Sequence, residues 1–263
     1  MNDPDGMEEA GGLPGLAAAP APGDFALRVL RHVGIPPERY DTYVRLGTPA
    51  GGLFVAASPH AVTGAALAAP DLTATAFEVR HRSRTGRSAI GAPRPFSGVV
   101  PALRTGRAAR LPIDLTGLTE AERRVLQAVR AIPAGQLRPV SWIAREADRP
   151  AVDVVPALTH NPVAVLIPCH RATHDNGRPC DAGYPPEIGD ALRRSEGIDT
   201  RRMAELSAAG AAFLGSDTTH IYCHPTCAHA RRITPAHRVP FRTARDARQA
   251  GFRACKSCRP LTS

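Results

Sequence analysis

Four of the six cysteines stand in two close pairs, Cys223 with Cys227 and Cys255 with Cys258, with 27 residues between the pairs. Six cysteines in a secreted chain would suggest three disulfides, but the start of this one lacks the basic residues of a secretory signal. The spacing is instead that of metal ligands. Four thiolates suit tetrahedral Zn2+ with bonds of about 2.3 Å. The 53 residues from 211 to 263 hold few aromatic side chains, and a segment so small needs such a staple. Zn2+ is therefore the expected cofactor, with Cys223, Cys227, Cys255 and Cys258 as ligands. His220, His224, His229 and His237 are close in sequence, but a four-cysteine set needs no histidine; they are expected at the surface or facing phosphate.

Charge gathers in the same segment. Of 33 basic residues 32 are Arg, and the formal net charge is +9; residues 211–263 hold nine basic residues against Asp217 and Asp246, a net of +7. Such a segment suits phosphates, because each neutralised phosphate releases counterions. A solvated Arg-rich surface from a biased composition would give the same numbers. No apolar run approaches the roughly 18 to 20 residues of a membrane span, so no membrane partner is expected and the chain is placed in the cytoplasm. Residues 1–24 open with acids and continue into an Ala/Pro/Gly tract, the composition of a disordered tail.

Along the chain, residues 25–44 read as a short helix and connection. Residues 52–57 and 61–66 read as two strands of a hairpin around Ser58-Pro59-His60. Residues 76–82 are too few for periodicity to choose between helix and strand, and 84–97 are loop-like. Thr119 and Glu122 form a capping box for a helix with Val125, Leu126, Val129 and Ile132 as its apolar stripe. A helix-turn-helix pattern follows, 140–147 and 151–159, with Pro156 interrupting its second helix. Residues 163–167 read as a short buried strand that Pro168 stops, and a further helix lies near 188–197.

Cys169 ends that strand and is followed at once by His170. A cysteine there can be an ordinary buried small side chain. Its neighbourhood gives another reading: Asn161 precedes it, and Glu196 lies downstream. A thiol must become a thiolate before it attacks carbon, and an imidazole oriented by a carboxylate can take its proton. Taken singly, Asn161 suits a turn and Glu196 a solvated helix.

The residues around this cysteine carry a resemblance. Pro168-Cys169-His170-Arg171, the helix and turn over 111–136, Asn161-Pro162 and Glu196-Gly197 together resemble the O6-alkylguanine-DNA alkyltransferases, over roughly residues 48–197. The resemblance implies a base flipped into a pocket and its alkyl group taken by Cys169 as a thioether in a single turnover. His170 would serve as base through a water, Glu196 would orient it, Asn161 would help hold the site, and Arg171 would join the DNA contacts. The family's tyrosine in the helix-turn-helix falls at Val140, and its arginine finger near Val152; Arg138 or Arg149 are the nearby substitutes. Its tyrosine after the Pro-Cys-His-Arg loop falls at Ala182, with Tyr184 close. Cys180 is expected to be a bystander.

Residues 215–260 are similar to the metal-binding domain of Ada. Thr218-Thr219, Tyr222-Cys223-x-Pro225-x-Cys227 and Ala250-Gly251-Phe252-Arg253-x-Cys255-x-x-Cys258 carry the likeness in order. It implies that Cys223 is both ligand and methyl acceptor for DNA methyl phosphotriesters. Arg231, Arg232, Arg253 and Arg259 are the candidate phosphate contacts.

The expected fold class is α+β: a small N-terminal sheet part over 25–110, a helical active-site domain with the helix-turn-helix-like pair over 111–200, a linker at 201–210 and a four-cysteine zinc domain over 211–263. The expected partner is alkylated double-stranded DNA, and the expected state is a monomer. Two rival functions remain at this level. One is a zinc-dependent sensor of alkylated DNA that transfers nothing from bases; the other is an alkyl acceptor for a small-molecule donor.

Overall fold

The computed structural model describes residues 23–68 and 72–261. The tail expected over 1–24 lies almost wholly outside them. The chain is α+β, and its first part opens with α1 (Phe25–His32). A mixed sheet follows, of β1 (Asp41–Thr48), β2 (Gly51–Ala57) and β3 (Val62–Leu67), with β4 (Ala89–Gly91) on its far edge, in the order β3-β2-β1-β4. The hairpin β2–β3 forms around the turn read from sequence, but the first half of β1 occupies residues 41–44, expected as part of a helix and its connection. Asp41, fully buried at the start of β1, explains why that strand is hard to see. An acid there looks like loop until its partners are known: Thr63 Oγ1 and His81 Nε2 at 2.8 Å and Arg87 Nε at 2.7 Å. Residues 76–82 fall within α2 (Ala74–Thr85), and α3 (Val99–Thr105) completes this part.

The second part begins with α4 (Glu120–Arg130), whose capping box forms as expected: Thr119 Oγ1 accepts from Glu122 N, and Glu122 accepts from Thr119 N. Val125, Leu126 and Val129 are fully buried along the predicted stripe. After the two-residue strand β5 (Arg138–Pro139) come α5 (Val140–Ala147), a single tight turn at 151–153, and α6 (Val154–Thr159). Pro156 does not break α6. It falls in the first turn, where a backbone N–H has no intrahelical partner to lose. Strand β6 (Ala172–Thr173) pairs in parallel with β5, and α7 (Pro186–Ser195) closes the domain.

Residues 163–167, expected as a strand, instead form a tight turn. Leu166 N donates to Ala164 O at 2.8 Å and Ile167 N to Val163 O at 3.0 Å, while Val165 takes a φ of 67°. A β-branched residue in that region costs on the order of 1–2 kcal/mol. The surroundings enforce it: Ala65 of β3 bonds to both Pro162 O and Ala164 N, and Val165 N donates to Tyr184 Oη at 2.9 Å.

The segment expected as a linker is helical, α8 (Thr200–Ala208), capped by Asp199. Beyond it lies a second four-stranded sheet of β7 (Phe213–Ser216), β8 (Ile221–Cys223), β9 (Arg238–Phe241) and β10 (Arg253–Ala254), ordered β10-β8-β7-β9, with α9 (Ala228–Arg231) and α10 (Ala244–Gln249). No helix among the described residues is long and apolar enough to cross a membrane.

Candidate active site and metal centre

The turn at 161–168 exists to deliver Cys169. Asn161 holds it from inside: its Oδ1 accepts from Val163 N at 3.0 Å, and its Nδ2 donates to Ile167 O and to Cys169 Sγ, both at 3.2 Å. Cys169 is 1% exposed, and this burial pushes its thiol up to about 12, against the pull of the Asn161 amide. At rest the sulfur is a neutral thiol, so a base must act before it can attack.

His170, the next residue, is the candidate base. Its Nε2 lies 2.9 Å from Glu196 Oε1, and its buried Nδ1 has no protein partner. Desolvation lowers the imidazole pKa more than Glu196 raises it, which keeps the ring neutral. With Nε2–H donated to the carboxylate, Nδ1 presents an unpartnered lone pair and can receive a proton. Arg193, itself paired with Asp181 at 2.7 Å, donates to His170 O and fixes the backbone.

Glu196 is the hub. It accepts from His170, from Arg171 Nε and Nη2, and from Gly135 N at 2.9 Å. Burial alone would raise its carboxyl, but the bonds and charges of His170 and Arg171 outweigh that and hold it at about 2. The linkage sign follows: a depressed carboxyl stabilises the fold fully above its unfolded value, about 4.3. That contribution is lost as pH falls from there towards 2. Denaturant midpoints measured across that window should decline, and the decline should shrink in Glu196→Gln.

Arg171 is not available to DNA. Its side chain is 4% exposed and committed to Glu196, to Ile132 O at 2.6 Å and to Gly106 O at 2.7 Å. The sequence motif marks a structural brace here, joining the ends of α3 and α4 to the carboxylate. Arg138 is also buried and stacks 5.4 Å from the Trp142 ring centroid, so it cannot substitute for a finger. Arg149 pairs with Asp153. Val140 is buried, whereas Val152 is 76% exposed on the turn before α6. Cys180 packs in the same core as Cys169.

The second cluster joins Cys223, Cys227, Cys255 and Cys258, all buried, with their sulfurs within 4.8 Å of one another. Bonds of about 2.3 Å to a tetrahedral ion imply sulfurs about 3.8 Å apart, so the set fits Zn2+. The donor chemistry fits too. Four buried thiolates this close repel one another, and a dication is what lets them ionise together. The N–H groups of His229 and Ala230 point at the Cys227 sulfur. No histidine joins the set. His224, expected outside, is buried against Phe213, and burial takes its pKa down to about 3.

Cys223 opens onto a cleft of about 470 Å³ that Thr219, His229, Arg232, Arg253 and Lys256 also line. Of the four candidate arginines, Arg232 and Arg253 therefore share a cleft with Cys223, which the ligand Cys255 lines too. Arg231 instead reaches a cavity of about 570 Å³ beside His170 and Glu196, and Arg259 pairs with Glu146 of α5. Sequence reasoning missed Lys256, though it is the sole lysine and sits between two ligands.

Residues 120–198 match the family model for the 6-O-methylguanine DNA methyltransferase DNA binding domain, and residues 200–260 match that for the metal binding domain of Ada. A methylated-DNA–protein-cysteine methyltransferase of Mycolicibacterium paratuberculosis is 36% identical over 103 residues, covering 36% of this chain and 61% of the relative. The Salmonella typhimurium protein of the same name is 42% identical over 64 residues, 24% of this chain and 37% of its own. The chain thus spans less than two thirds of these relatives. The crystal structure of Mycobacterium tuberculosis OGT in complex with DNA aligns with 63% of this chain and 98% of its own, at 28% identity and a TM-score of 0.47. The two matched segments stand in tandem, with a four-cysteine zinc site in the second, and the N-terminal sheet with α1 to α3 precedes them.

Proposed function

We propose that a chain with these two segments in tandem is a cytoplasmic direct-reversal DNA-repair protein. It would act as a monomer on alkylated double-stranded DNA and carry two acceptor sulfurs. Cys169 takes alkyl groups from O6-alkylguanine, and Cys223 takes methyl groups from phosphotriesters.

The observation that carries the first half is a pair of hydrogen bonds on adjacent residues, Asn161 to Cys169 and His170 to Glu196, inside the segment that matches the methyltransferase model. The Cys169 proton passes through a water to Nδ1 of His170, whose growing charge Glu196 stabilises. The sulfur then displaces guanine from the alkyl carbon: an S–C bond forms and the C–O6 bond breaks. The proton that left the thiol ends on the departing guanine. Nothing regenerates the thiol, so each Cys169 reacts once.

At the second site Cys223, Cys227, Cys255 and Cys258 would hold Zn2+, which when bound keeps thiols ionised at neutral pH and so provides a nucleophile without a general base. The Cys223 sulfur attacks the methyl carbon, and the phosphodiester leaves as an anion. Arg232, Arg253 and Lys256 line the cleft where that charge appears, and cationic neighbours stabilise it. Incubation with duplex DNA bearing O6-methylguanine, followed by peptide mass analysis, tests the first half. The reading expects one methyl on the Cys169 peptide, and a peptide left unmodified counts against it.

A further inference from the structure

The two sites lie in different segments, yet very little chain separates them in space. Thr226 precedes the ligand Cys227 and is buried. Its Oγ1 accepts from Leu137 N at 2.7 Å and donates to Leu137 O at 3.4 Å. Two residues earlier, Gly135 N donates to Glu196 Oε2. One short turn, residues 135–137, is therefore held at one end by the neighbour of a metal ligand and at the other by the carboxylate that orients His170. Gly135 has a φ of 71°, and a Cβ there would lie 2.9 Å from Glu196 O, so the turn sits hard against the acid.

Further contacts hold the modules in this register. Trp142 Nε1 donates to the carbonyl of the ligand Cys258 at 3.0 Å, and Arg145 donates to Arg259 O at 2.7 Å. Helix α9 starts from Cys227 and ends at Arg231, which lines the cavity beside Glu196 and approaches Gly135.

We propose that the four-cysteine module is part of the Cys169 site: Thr226 is a positioning residue that sets Glu196, and hence His170, through the turn at 135–137. Order around the metal is then a condition for chemistry at Cys169, and the first segment does not work at full rate alone. The proposal rests on reading Cys169 as an acceptor thiol. Its physical basis is that a carboxylate moved by a fraction of an ångström no longer holds the imidazole in register.

Full-length, zinc-loaded protein provides the test, with Thr226→Val to remove the hydroxyl at constant shape and Thr226→Ser to restore it. Thr226→Val is expected to slow single-turnover methylation of Cys169 about tenfold, with the metal content kept. Thr226→Ser should return the rate to within about twofold of the original. Should Thr226→Val lose metal, chelation of the unaltered chain makes the same comparison and should slow Cys169 by at least as much. An unchanged Cys169 rate in zinc-loaded Thr226→Val, or in the chelated chain, overturns the proposal. If the unaltered protein takes no methyl from O6-methylguanine DNA, the acceptor reading has failed instead. Alkylation of Cys169 by iodoacetamide, followed by peptide mass, then decides the coupling on the same variants.

Discussion

Glu196→Gln is expected to destabilise the fold by about 3–5 kcal/mol and to slow transfer to Cys169 by about a hundredfold or more. Both effects follow from one side chain serving several partners. The amide keeps the shape of the carboxyl but not its charge, and Arg171, 4% exposed, loses the only acid it is paired with among the described residues. An uncompensated buried guanidinium is what makes breaking such a pair costly. Meanwhile the imidazolium formed when His170 takes the thiol proton has no anion beside it. Urea denaturation and single-turnover kinetics read the two losses separately. A variant within about 0.5 kcal/mol of the original, transferring at the original rate, would show that Glu196 is a bystander.

Removal of the metal is expected to unfold the C-terminal segment as a unit while α4 to α7 persist. The four cysteines and Ala230 are the buried cluster at the metal site, and the segment's others are only Tyr222, Phe241, Ala244, Ala247 and Phe252, and Leu206, Ala211 and Leu214. Cores this small do not offset chain entropy, whereas structural zinc contributes on the order of 10–16 kcal/mol at neutral pH. The larger cluster, from Leu53 to Leu192, has no share in the ligands. Trp142 is the sole tryptophan and donates to Cys258 O, so its emission reports the event. Chelation should change Trp142 emission and expose the amides of β7 to β10 to exchange. Amides left protected after the metal is gone would contradict this.

The sequence disclosed those parts of the molecule whose physics is local. The capping box at Thr119, the hairpin turn at Ser58-Pro59-His60 and the two cysteine pairs each announce themselves within a few residues, and each forms. What stayed hidden depends on partners distant in the chain. Asp41 reads as loop until Thr63, His81 and Arg87 surround it. Val165 reads as strand until Tyr184 and Ala65 hold it in a left-handed turn. Arg171 has the look of a phosphate contact, yet burial has already spent its charge on Glu196. Likewise Arg231 and Arg232 are adjacent in sequence but face different cavities, a division made by the end of α9.

Intact-mass analysis bears most directly on the claim of two acceptor sulfurs. Zinc-loaded protein is exposed to duplex DNA carrying both O6-methylguanine and methyl phosphotriesters, alongside Cys169→Ala and Cys223→Ala. The account predicts two added methyl groups on the unaltered chain and one on each variant, lost from the position replaced. A chain that gains no methyl, or gains the same number whichever cysteine is removed, would contradict it.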